Sequence, residues 1–192
     1  MNDQPYTSDC ADPRSTLKQR FEALLHEHRK IVFKIAGAYA FTEADRGDLA
    51  QEICTQLWRA FPRYDETRRF STWMFRVALN VGISHARQER HHAERLEPID
   101  DQPEHMLAGD SGPAETVEME QRLRLLQTFI AGLEPLDRAL ILLYLEERGY
   151  AEIADVLGIS ETNVATKINR LKQRLRDRMT APAPKEKQHG TR

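Results

Sequence analysis

The chain has 192 residues, of which 40% are hydrophobic, 30% charged and only 7% aromatic, enough for one ordinary domain or two small ones. That balance predicts a helical chain, polar for its size, and no apolar run approaches the ~18 residues of a membrane span. A formal net charge of −2 conceals an asymmetry: residues 94–120 hold nine acids and one base, and residues 167–192 hold nine bases and two acids.

Residues 1–14 are polar, carry Pro5 and Pro13, and are predicted to be disordered; they lack the apolar core of a signal peptide. Ser15 is placed as the cap of a first helix in which Leu17, Phe21, Leu24, Val32, Ile35 and Tyr39 follow helical spacing. A second helix is predicted from Asp45 to Phe61, with Leu49, Ile53 and Leu57 inward and Pro62 just past its end. A third starts near the cap Ser71 and turns Trp73, Val77, Ala78 and Val81 inward, reaching about His92. Residues 93–115, with three prolines, two glycines and little periodicity, read as a linker.

Beyond it, Val117, Glu120, Leu123, Leu126 and Ile130 mark a fourth helix stopped by Gly132. Pro135 suits the first turn of a fifth, closed by Gly149. "YAEIADVLG" reads as a short sixth helix, and Ser160 opens a seventh that extends to Met179. Residues 181–192 read as a flexible tail. The expected fold is all-α, with two small helical domains over 15–92 and 116–180 on an acidic tether.

"YAEIADVLGISETNVATKINRL" supplies the three parts of a helix-turn-helix in order. Ile153 and Leu157 are expected to pack inward, Gly158 to take the left-handed backbone of a helix end, and Ser160 to satisfy amides of the next helix. Val164, Ile168, Leu171 and Leu175 form one stripe of that helix; Asn163, Thr166, Lys167, Arg170 and Arg174 form another. Short hydrogen-bonding groups precede bases along the second stripe, an order suited to base edges first and phosphates after. Ser160 and Thr162 join the predicted contact set at its start. The alternative is an amphipathic surface helix with a solvated basic face.

Two blocks outside this motif narrow the function. "GDLAQEICTQLWRAFPRYD" followed by "FSTWMFRVALNVGISHARQERHH" resembles region two of bacterial RNA polymerase sigma factors, and "LEPLDRALILLYLEERGYAEIADVLGISETNVATKINRLKQRLR" resembles region four. With no third region between them, the chain resembles the extracytoplasmic-function subfamily over roughly residues 17–179. The resemblance implies core RNA polymerase and promoter DNA as partners, an anti-sigma factor as a possible regulator, and a cytoplasmic location. It implies that Asp48, Gln51, Glu52 and Thr55, with Trp58 and Arg59 nearby, dock on the polymerase clamp. It also implies that Arg69, Phe70, Trp73, Arg76, Asn80, Ser84 and Arg87 serve the −10 element, where unstacked bases must be captured. For Trp73, packing in the core is the competing role. The acidic linker reads either as a nucleic-acid mimic inside a basic channel or as a self-repelling spacer.

Two departures from the family pattern stand out. Arg46 and Gly47 occupy an area where an acid pair is common, and Thr162-Asn163-Val164-Ala165 replaces the usual Gly-Thr-Val and base. Rival functions fit less well. A DNA-binding regulator outside the polymerase needs a ligand pocket or receiver domain that the N-terminal half does not offer. An enzyme needs a phosphate-binding loop, a zinc helix motif or a nucleophile elbow, and none is found. Cys10 and Cys54 read as reduced thiols, the pairs His26/His28 and His91/His92 as exposed polar groups, and no cofactor or metal is expected.

Overall fold

The computed structural model describes residues 13–93 and 115–180, so the predicted N-terminal arm, most of the acidic linker and the tail lie outside the described residues. Among the described residues, eight α-helices form two compact units, one within residues 1–90 and the other within 91–192.

The first unit comprises α1 (Pro13–His28), α2 (Lys30–Tyr39), α3 (Glu43–Ala60), a 3-10 turn (Phe61–Arg63) and α4 (Phe70–Ala93). The single helix expected over Ser15–Tyr39 is thus two, and Ser15 lies inside a helix that starts on Pro13 rather than capping it. The break falls at Arg29, whose carbonyl accepts from Val32 N–H at 3.1 Å, an i to i+3 bond tighter than the α pattern. Beyond it, Ile31, Val32, Ile35, Ala36 and Tyr39 are buried.

Thr42 starts α3 two residues earlier than periodicity places it. Its hydroxyl oxygen accepts from Asp45 N–H at 3.1 Å, and its O–H donates to the Asp45 carboxylate at 2.7 Å. Leu49, Ile53 and Leu57 point inward as expected. The inward face of α4 differs from the predicted one. Met74, Phe75, Ala78, Leu79 and Ile83 are buried, whereas Trp73, Val77 and Val81 are only half-buried. Residues 70–83 offer two overlapping apolar stripes, and the neighbouring elements select between them. Close packing fixes the choice at Gly82, where an added Cβ would sit 2.8 Å from the Tyr39 ring.

The second unit comprises α5 (Glu115–Ala131), α6 (Pro135–Leu145), α7 (Tyr150–Leu157) and α8 (Glu161–Thr180). Gly132 ends α5 and Pro135 opens α6, both as predicted. From within α6 the buried Arg138, 3% exposed, donates from Nε to Ile130 O at 3.1 Å and from a terminal nitrogen to the carbonyls of Ala131 and Leu133. A guanidinium thereby satisfies orphan carbonyls at the negative end of α5.

The α6 helix stops four residues before Gly149. Glu147 takes the left-handed backbone instead (φ 57), while the N–H groups of Glu147 and Arg148 return to Tyr144 O and Leu143 O in a Schellman pattern. Gly149 serves as the N-cap of α7. The next helix end follows the prediction: Gly158 is left-handed (φ 66) and Ile159 N–H returns to Ala154 O. Ser160 Oγ accepts from Asn163 N–H at 3.3 Å to open α8. Ile153, Val156, Val164, Ile168 and Leu171 fill the core of this motif, with Val156 in the place expected for Leu157, which is half-buried.

Candidate nucleic-acid interface

Burying Val164, Ile168 and Leu171 turns the opposite side of α8 to solvent. Thr162, Asn163, Thr166, Arg170 and Arg174 are all exposed there. The Thr166 hydroxyl donates to Thr162 O at 2.9 Å, which fixes its rotamer and leaves its oxygen lone pairs outward. The Arg174 guanidinium lies 5.9 Å from the Phe129 ring centre and that of Arg178 lies 5.8 Å from it, so both charged heads stand beside a buried aromatic ring.

Two predicted contact residues have partners within the unit. Ser160 is engaged as the cap, and half-buried Lys167 places Nζ 2.9 Å from Asp137 Oδ1 on α6. Ala165 is half-buried beside them. Asn169 and Gln173 are exposed and were not among the predicted contacts. Their positions, three and seven residues after Thr166, put them on the same face.

In the first unit a cleft of about 440 Å³ lies between α3 and α4. Glu52 and Gln56 line it from α3; Asn80, Ser84, His85 and Gln88 line it from α4. Gln56 Nε2 donates to Glu52 Oε1 at 2.6 Å, and buried His85 Nδ1 makes no hydrogen bond among the described residues. Glu52, predicted for the polymerase, and Asn80 and Ser84, predicted for DNA, thus share one cleft. Asp48, Gln51 and Arg59 are exposed on α3. Half-buried Thr55 donates its hydroxyl to Gln51 O at 2.9 Å. Trp58 is 40% exposed, with its ring 5.2 Å from Phe21.

At the start of α4, Arg69 and Arg76 are exposed, as is Arg87 near its far end. Phe70, expected in the DNA set, is 6% exposed, edge-on to Tyr64 and 5.2 Å from Trp73. Half-buried Trp73 sits in this cluster, against Phe61 and Tyr64. Phe75, within the same quoted block, is 1% exposed. The aromatic side chains here pack against one another, because burial of a ring outweighs its display to solvent.

The departure at Arg46 has a structural explanation. Its guanidinium donates to Ala40 O at 3.3 Å and to Phe41 O at 3.4 Å, closing the chain just past α2. An acid could not donate these bonds. Gly47 faces open space, and nothing in the structure requires a glycine there. Half-buried Cys54 has its thiol pushed up by burial, away from reactive thiolate character. Among the described residues no helix is long and apolar enough to cross a membrane.

Residues 24–92 match the family "Sigma-70 region 2", and residues 123–175 match "Sigma-70, region 4". The chain is 28% identical over 159 residues to the ECF RNA polymerase sigma factor SigE of Mycolicibacterium smegmatis, covering 82% of this chain and 60% of that protein. It is 30% identical over 131 residues to the ECF RNA polymerase sigma factor SigM of Bacillus subtilis, covering 67% of this chain and 76% of SigM. Its fold is similar to the sigma factor RpoE of Bartonella quintana, solved in complex with the anti-sigma factor NepR. That likeness has a TM-score of 0.63 at 15% identity and covers 86% of this chain and 98% of RpoE. A helix-turn-helix unit that follows a region-two unit, each matched in its own family, together with the 30% identity to SigM over 76% of its length, means that the chain belongs to the extracytoplasmic-function (ECF) family of RNA polymerase sigma factors.

Proposed function

We propose that this sigma factor divides promoter recognition between its two units, with domains at 15–92 and 116–180 and a tether over 93–115. The N-terminal unit binds core RNA polymerase through Asp48, Gln51, Glu52, Trp58 and Arg59 on α3, with Thr55 ordering the backbone between them. It captures the −10 element through Arg69, Arg76, Asn80, Ser84 and Arg87. The C-terminal unit lays α8 in the major groove of the −35 element: Thr162, Asn163 and Thr166 face base edges, and Arg170 and Arg174 reach phosphates. Lys167 and Ser160 hold α8 in place.

The observation that carries this reading is the cleft between α3 and α4. Asn80 and Ser84 offer hydrogen-bonding groups in a recess large enough for an unstacked base, and exposed arginines lie on the same helix. Opening a base step costs a few kcal/mol, and a recess with polar walls returns it through hydrogen bonds and packing. The chain supplies no chemistry of its own; the polymerase supplies the catalysis. Working with the polymerase, it acts in the cytoplasm. An anti-sigma protein is its proposed regulator, as the similar RpoE is solved in complex with the anti-sigma factor NepR.

Reconstitution tests the reading. Core RNA polymerase supplemented with the chain should initiate from a discrete set of start sites on a genomic template library, with two shared upstream elements. Sequence-specific binding without any polymerase-dependent initiation would make it a regulator instead.

A further inference from the structure

The connector from the 3-10 turn to α4, residues 64–69, has no regular secondary structure beyond a turn, yet every part of it is tied down. Asp65 Oδ1 accepts from Thr67 N–H at 3.0 Å and from the Thr67 hydroxyl at 2.8 Å, while Arg68 N–H returns to Asp65 O at 3.1 Å. Glu66 pairs with Arg20 on α1. The Tyr64 ring is fixed in the aromatic cluster, 5.1 Å from Trp73 and 5.4 Å from Phe70, and its hydroxyl donates across the loop to Arg68 O. The next residue, Arg69, is exposed and gives its carbonyl to Thr72 and Trp73 N–H at the start of α4.

We infer that Tyr64 is a positioning residue for −10 capture: its ring anchors in the core and its hydroxyl holds the Arg68 carbonyl, presetting the loop that presents Arg69 to the DNA strand. The inference rests on the assignment of Arg69 to the −10 element and adds a residue that need not touch DNA. Ordering backbone on binding costs conformational entropy. A loop ordered before DNA arrives does not charge that cost to binding. The Arg20–Glu66 pair is exposed and contributes little alone. The tyrosine, with its ring held on three sides, supplies the rigid bond.

Holoenzyme, assembled from the full chain and core polymerase, provides the test. The probe is a single-stranded DNA oligonucleotide carrying the −10 element of a promoter mapped from transcript 5′ ends after overproduction of the chain. Tyr64→Phe keeps the ring and removes the donor, and should weaken capture about fivefold, the weight of one net hydrogen bond. Core affinity and binding of a −35 duplex should not change, which a general loss of folding would not allow. Asp65→Ala should weaken capture similarly, and Asp65→Asn, which retains the side-chain acceptor, should restore it. If Arg69→Ala weakens capture while Tyr64→Phe and Asp65→Ala do not, the positioning role is wrong and the −10 surface stands. If none of the three has an effect, the −10 surface itself is wrong and the inference falls with it.

Discussion

The two units meet DNA with opposite kinds of surface. The C-terminal unit displays one face of a continuous helix whose other face is nailed to a core by Val164, Ile168 and Leu171. Its precision comes from burial and from caps at Gly158 and Ser160. The N-terminal unit offers a cleft between two helices and a short connector held by side-chain to backbone bonds. A helix entering an intact groove needs only a rigid body behind it. A surface that takes a base from its stack must itself be ordered beforehand, so small local bonds matter more there.

The largest effect expected from breaking one unit alone is Arg138→Ala. It strands carbonyls at the end of α5 and should destabilise the C-terminal unit by about 3 kcal/mol. Both tryptophans, Trp58 and Trp73, lie in the N-terminal unit, so their fluorescence reports that unit alone. Circular dichroism should show early loss of helix while the fluorescence transition stays where it was. Coincident shifts would show that the units do not unfold separately.

Gly82→Ala attacks the other unit. Overpacking against Tyr39 costs about 1–3 kcal/mol, and the gain in helix propensity returns about 1 kcal/mol. A net loss of up to about 2 kcal/mol should appear in the fluorescence transition; a stabilised variant would show that Tyr39 moves aside freely.

Arg170→Ala and Lys167→Ala sharpen the picture of α8. The first should weaken −35 duplex binding about tenfold and lower its salt slope by about one, leaving core affinity intact. A large loss of core affinity would contradict the assignment of domains. Lys167→Ala breaks the half-buried pair with Asp137 and should cost under about 1 kcal/mol of stability, with less effect on DNA binding than Arg170→Ala.

The smallest effect concerns pH at the connector. Hydrogen bonds from Thr67 hold the Asp65 carboxyl below its usual range, and the bond from Arg20 does the same for Glu66. Their contribution is fully present above the ordinary carboxylate range of about 4 and is lost as pH falls through the lowered values. The Thr67 amide resonance should therefore titrate with a midpoint below that of an unperturbed aspartate. A midpoint at the ordinary value would mean that the turn is not formed in solution.

Much of the C-terminal unit is legible in sequence because residue type and backbone need coincide there. Gly158 is the only residue type that takes φ 66 without cost, Ser160 is a good cap, and the apolar stripe keeps one phase through Leu171. Legibility fails where packing chooses among locally equal options. The α4 segment carries two apolar stripes, so its inward face depends on Tyr39 and Ile35 of α2. Glu147, not Gly149, turns left-handed because α6 ends where its buried run ends. The bond from Lys167 to Asp137 spans 30 positions, and the shared cleft of Glu52 and Asn80 needs two helices side by side. Residue spacing within one helix carries neither.

Footprinting one mapped promoter with holoenzyme carrying Asn80→Ala tests the division of labour most directly. Permanganate reactivity of −10 thymines reports opening, and nuclease protection reports the −35 contact on the same DNA. Opening should be lost while −35 protection persists. Loss of −35 protection together with opening, or full opening without Asn80, would contradict the account.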